Sequence, residues 1–135
     1  MTQDKELLLK DLCARLPYGV MVREDTVIYD DKNTTNYRVK KFNYELIGKG
    51  FSRIKGFTHD YEYIYRPYLF PLSSMSEEQR KEYNSIVERH CERYYNVIDV
   101  DCFEELQEFY HKNHLDYRNL IGKQLAINAT GKGIY

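Results

Sequence analysis

Leu7, Leu8, Leu12 and Leu16, with Leu9 and Cys13 beside them, recur at helical spacing and predict an amphipathic first helix. Asp4 stands where an N-cap belongs, and Pro17 and Gly19 end the helix. Short β-favouring runs follow. "YGVMVRE" and "DTVIYD" read as two strands joined by a tight turn at Glu24–Asp25, and "DKNTTN" reads as a loop. "YRVKKFNYELI" alternates as one long strand, and "GKG" at Gly48–Gly50 turns the chain into "FSRIKGF". "YEYIYRPYLF" is another strand, ended by Pro67 or Pro71.

The helical half carries start signals as well as periodicity. Ser76 followed by Gln79 matches a capping box, with acids in the first turn where the helix dipole favours them. Tyr83, Ile86, Val87, His90 and Tyr94 then line one face of a helix ending near Tyr95. Asp101 followed by Glu104 matches a second box, with Phe103, Leu106, Phe109 and Tyr110 as its apolar stripe and a stop near Asn113. "LAINA" reads as a short strand that returns to the sheet. The expected fold is α+β over residues 1–135 as a single domain. It has an N-terminal helix, an antiparallel β-meander of four or five strands, and two C-terminal helices packed on the sheet.

Composition adds two things. The chain has 14 tyrosines and no tryptophan, which suits half-buried sheet surfaces and contact surfaces because the ring packs while the hydroxyl stays wet. Its net charge of −1 hides a division. From Lys32 to Lys55, seven basic residues (Lys32, Arg38, Lys40, Lys41, Lys49, Arg53, Lys55) face Glu45 alone. From Ser76 to Glu108, ten acids outnumber four bases. Such a layout steers encounters with charged partners. No apolar run is long enough to span a bilayer, and the start lacks the features of a secretory signal. Cys13, Cys91 and Cys102 form no CxxC pair and read as buried, reduced thiols beside apolar helix faces. The expected location is therefore the cytoplasm of a bacterial host.

Motifs of chemistry are few. His111, His114 and Asp116 offer a His-x-x-His-x-Asp set, but the helix should end between the histidines and no fourth ligand is evident, so no metal is expected. "ATGKGIY" lacks the helix that a phosphate loop needs and reads as a flexible or docked tail. Within "LDYRNLIG", a local Asp116–Arg118 ion pair with Tyr117 across a helix end accounts for the residues. His90 and Cys91 are neighbours on a helix and diverge, so they form no nucleophile–base pair. Ser73 and Ser74 lie in a turn, and His59–Asp60 is a polar turn between strands. No enzyme and no cofactor are expected. Arg38 and Lys40, with Phe42 and Tyr44, share one strand face, and Lys41, Lys49, Arg53 and Lys55 lie close in sequence. Cations interleaved with rings form a platform for nucleic acid.

Three stretches together, "ELLLKDLCARLPYGV", "RPYLFPLSSMSEEQ" and "HLDYRNLIGKQLAINATGKGIY", resemble a family of short uncharacterised proteins of gut anaerobic bacteria, their phages and prophages. The resemblance leaves out the basic segment from Lys32 to Lys55 and carries no site residue. It implies a small protein that acts by binding. The expected function is a non-enzymatic, phage-type protein that binds a host protein as an inhibitor of antiphage defence. That contact would run through acidic helices bearing Glu88 and Glu92, or through the basic face. The alternative is an RNA-, DNA- or nucleotide-binding module using Arg38, Lys40, Lys41, Lys49, Arg53 and Lys55.

Overall fold

The structure, a computed structural model, describes residues 3–29, 37–50, 54–56, 59–91 and 100–135. The expected loop over 31–36 and residues Lys32, Arg53, Glu92, Tyr94 and Tyr95 lie outside them. The described chain is α+β: four α-helices and a mixed, five-stranded sheet.

Helix α1, Gln3–Arg15, buries Leu8 and Leu12 and runs into a 3-10 turn, Leu16–Tyr18. Gly19 closes that turn at φ +70°, a left-handed conformation that glycine adopts without strain. Strand β1 then spans Met21–Ile28 without a break. The turn expected at Glu24–Asp25 does not form, because both acids have partners within the sheet. Glu24 accepts from Tyr65 Oη at 2.7 Å, and Asp25 accepts from Arg66 Nη1 at 3.0 Å.

Strand β2 is short, Tyr37–Lys41, and the long strand expected through Ile47 ends there. Asn43 starts helix α2, Tyr44–Lys49, its side chain accepting from the Leu46 N–H at 3.3 Å. Strand β3, Tyr61–Pro71, is the centre of the sheet. It pairs antiparallel with β1 from Val22 opposite Pro67 to Ile28 opposite Tyr61, and β2 lies on the far side of β1. Pro67 is tolerated because it stands at the end of that ladder. Beyond it the short strands β4 (Leu115–Asp116) and β5 (Ile127–Asn128) both run parallel to β3. The sheet is thus mixed, and its antiparallel part runs β2-β1-β3, with β2 and β3 on either side of β1 rather than side by side as the expected meander requires.

Opposed residues share a sheet face. Val22, Tyr65 and Leu69 point inward to a core with Leu8, Leu12, Phe42, Leu46, Leu120 and Ala126. Covering that face are α1, α2 and the closing segment.

Helices α3 (Glu77–Cys91) and α4 (Val100–Lys112) build a second core from Ile86, Cys102, Leu106, Phe109 and Leu115. This core meets the sheet through Phe70 and Leu115 at the far end of β3, so the two helices do not lie across a sheet face as expected. Ser76 and Gln79 form the expected reciprocal cap, at 3.0 and 3.1 Å. Asp101 stands inside the first turn of α4 rather than ahead of it. Phe103 is 55% exposed, and Cys102 takes its expected place in the stripe. Cys13 is exposed, contrary to expectation.

Candidate functional site

The inner face of the sheet is covered only part of the way along its strands. Past Tyr65, the side chains of Thr26 and Ile28 on β1 and of Tyr63 and Tyr61 on β3 line an open cleft of about 590 Å³, closed on its other side by Lys55, Gly56 and His59. The sequence places the rings there through strand alternation: Tyr61, Tyr63 and Tyr65 are spaced two apart and stand on one face. Tyr63 stacks on Tyr65 at 6.4 Å, while Tyr61 meets Tyr63 edge-on at 5.6 Å. Ile54 exchanges backbone hydrogen bonds with Tyr61 at 2.7 and 2.9 Å, which holds Lys55 and Gly56 over the rings. A side chain at Gly56 would collide with the His59 carbonyl oxygen, so glycine is required for that close pass.

A buried polar chain closes the cleft toward the core. Tyr65 Oη donates to Glu24 Oε2 at 2.7 Å, and Lys40 Nζ reaches Glu24 Oε1 at 3.2 Å. Burial and the Glu24 carboxylate beside it push the Tyr65 phenol up, so it stays a neutral donor. Arg38 lies opposite Glu24 and so shares this face. Such a wall can stack a planar ring on tyrosine and set an anionic group beside Lys55 and His59, with Arg38 farther along the same sheet face.

The remaining residues of the expected basic platform disperse. Arg38 and Lys40 do share a strand face. Phe42 is 2% exposed in the core, and Tyr44 opens α2, so neither ring joins them as expected. Lys41 points to the opposite sheet face, and Lys49 sits in the last turn of α2. Arg53 is outside the described residues. Tyr61 and Tyr63 carry no motif of their own in the sequence. Their alternation was legible, but the pairing that sets Thr26 and Ile28 beside them joins residues far apart in the chain.

The acidic helices partly neutralise themselves. Across the α3–α4 groove, Glu82 pairs with Lys112, and Glu105 pairs with Arg89 at 2.9 Å and lies 3.2 Å from His90. Glu88 stays exposed on α3, and Glu92 lies outside the described residues.

His111, His114 and Asp116 are brought close but not as ligands. Both Asp116 carboxylate oxygens accept backbone N–H groups, from Leu120 at 2.8 Å and Ile121 at 2.9 Å. His111 Nε2 is 2.9 Å from Tyr117 Oη, and the His114 ring stacks on Tyr135 with centroids 3.7 Å apart. Burial and the Arg15 charge hold both imidazoles down to about 4, with Arg118 adding to the effect on His111. The expected Asp116–Arg118 pair is replaced by Arg118 Nε against Asp11 Oδ1 at 3.3 Å, and Asp11 also accepts from Arg15 Nε at 2.8 Å. Burial pushes the Asp11 carboxyl up against the pull of those two guanidiniums. Among the described residues, no three His, Cys, Asp or Glu side chains converge as a metal site, and no helix is long and apolar enough to cross a membrane.

No family model, curated protein or solved structure matches the chain.

Proposed function

We propose that this chain is a non-enzymatic binding protein of phage or mobile-element type, and that the tyrosine-lined cleft takes a nucleotide or a nucleic-acid segment. The observation that carries this reading is the placement of Tyr61 and Tyr63 on the face that also bears Arg38 and Lys40, with Lys55 and His59 across the opening. A base stacks on a tyrosine ring without regard to its identity, while cations at the rim meet phosphate. A volume of about 590 Å³ lies in the range of sites that enclose a small organic ligand. Sequestering a nucleotide signal, or masking a strand, is one way for such a protein to blunt a host defence.

Calorimetric titration with adenosine monophosphate, and anisotropy with a labelled oligothymidylate of about ten nucleotides, test this reading. Lys55→Glu should weaken binding by about tenfold, and affinity should fall with added salt. A protein that binds neither probe at low salt does not work in this way.

A second reading has its own observation. Glu77, Glu78, Glu88, Glu104 and Glu108 are exposed on α3 and α4, and the ring of Phe103 is exposed on α4. An acidic surface suits a basic host protein, which this chain would inhibit by occupying its surface. Glu88→Lys should then weaken capture of that partner and leave the cleft untouched. Equal capture by the variant counts against an acidic contact.

A further inference from the structure

We propose that the free edge of β2 receives an extended acidic segment of a partner protein as an added strand. Strand β2 is the last in the order β2-β1-β3-β4, and among the described residues no chain pairs with its outer side. Its backbone N–H and C=O groups there form a template for main-chain hydrogen bonds. The side chains fix what the incoming strand must carry. On the outer face Tyr37 is 53% and Val39 42% exposed, with the Arg23 guanidinium 4.0 Å from the Tyr37 ring centroid. Arg38 lies on the inner face beside Lys40, which pairs with Glu24. Among the described residues neither Arg38 nor Lys41 has a carboxylate partner.

An incoming strand therefore meets Tyr37 and Val39, with Lys41 at their end, on one face and the Arg38 guanidinium on the other. The complement is a segment that alternates apolar and acidic residues. A second copy of this chain is a poor occupant, since two β2 strands side by side set Arg38 and Lys40 of one against those of the other. Cations on an edge also serve to discourage self-association. That role does not require the apolar pair Tyr37 and Val39 at the same edge.

The test uses the full chain and fluorescein-labelled peptides of about eight residues, long enough to match a typical strand. One alternates Val and Glu, one alternates Val and Lys, and one is the Val–Glu peptide with alternate backbone nitrogens methylated. The Val–Glu peptide should bind, the Val–Lys peptide should not, and methylation should weaken binding at least about tenfold while leaving every charge in place. Arg38→Glu should also lower Val–Glu binding about tenfold, with circular dichroism confirming the fold, and sedimentation should find a monomer. The proposal is overturned if the Val–Glu peptide fails to bind, if the methylated peptide binds equally, or if the chain dimerises through β2. Arg38 lies on the face that also carries the cleft, so the methylated peptide, which changes only strand pairing, is the arm that lets this edge and the nucleotide reading fail separately.

Discussion

Arg15 Nη2 donates to the Leu115 carbonyl at 2.7 Å, joining the end of the first helix to a strand that lies 100 residues on in the chain. The guanidinium is fully buried, and its Nε holds Asp11 at 2.8 Å. Replacing Arg15 with methionine would leave Asp11 buried with Arg118 as its remaining partner and the Leu115 carbonyl unpaired. Removing one partner of a buried pair costs about 3–5 kcal/mol. Urea denaturation of Arg15→Met should show a loss of that order. The double variant Asp11→Leu, Arg15→Met should lose less than the sum of the two single changes, because no uncompensated carboxylate remains.

The same node sets the response to acid. His111 and His114 are held near 4, below the unfolded value of 6.5, by burial and by the guanidiniums around them. Both are neutral in folded and unfolded chains above pH 6.5, where their contribution to stability is complete. As pH falls from 6.5 toward 4, the unfolded chain takes up protons that the folded chain refuses, so stability drops through that window. Denaturation midpoints measured across it should fall steeply with acid. The double variant His111→Gln, His114→Gln should flatten the slope there, whatever it does to stability at neutral pH.

What the sequence made legible followed local rules. The reciprocal Ser76–Gln79 cap needs only four consecutive residues, and the first helix needs only its leucine spacing. The misreadings fall where distant partners decide. Glu24 and Asp25 looked like a turn because two adjacent acids suit a bend, yet Tyr65, Lys40 and Arg66 hold both within a strand. The alternation of Phe42, Tyr44 and Leu46 makes "NYELIGK" look like the continuation of a strand. The stronger signals are Asn43 at the head of that segment and Gly50 just after it, which are the residues that start and stop α2. The cleft was half legible: the alternation of Tyr61 and Tyr63 was in view, but their pairing with Thr26 and Ile28 was not.

Gly50 ends α2 directly above the ring of Tyr65, and an added Cβ would overlap that ring. Tyr65 is 1% exposed and bonded to Glu24, so it cannot swing aside. Gly50→Ala should therefore destabilise by about 1–3 kcal/mol, as overpacked cores do, although alanine is normally the better residue at a helix end of ordinary φ. Thermal unfolding of the variant decides it, since an unchanged midpoint would mean that α2 can lift from the sheet at no cost.

Asn43→Ala removes the side chain that caps α2. N-cap losses of this kind cost about 1 kcal/mol. The helix is only six residues long and contributes Leu46 to the core, so the loss should be felt globally, as a lower urea midpoint with an unchanged denaturant slope. A lowered slope instead would mean that α2 unfolds separately from the sheet.

Tyr135 fixes the end of the described chain by three contacts. Its hydroxyl donates to the Tyr68 carbonyl at 2.7 Å and accepts from the Met21 N–H at 3.0 Å, while its ring covers the His114 imidazole. The ring is therefore one reason that His114 is desolvated. His111 is shielded differently, by Tyr117 and Tyr18. Tyr135→Ala should let water reach His114 and move its pKa up from about 4 toward 6.5, with His111 left near its present value. Titration of the two histidine ring resonances by NMR separates these outcomes. If both histidines rise together, the variant has loosened the whole Arg15 node; if only His114 rises, Tyr135 acts as a local cover over one imidazole.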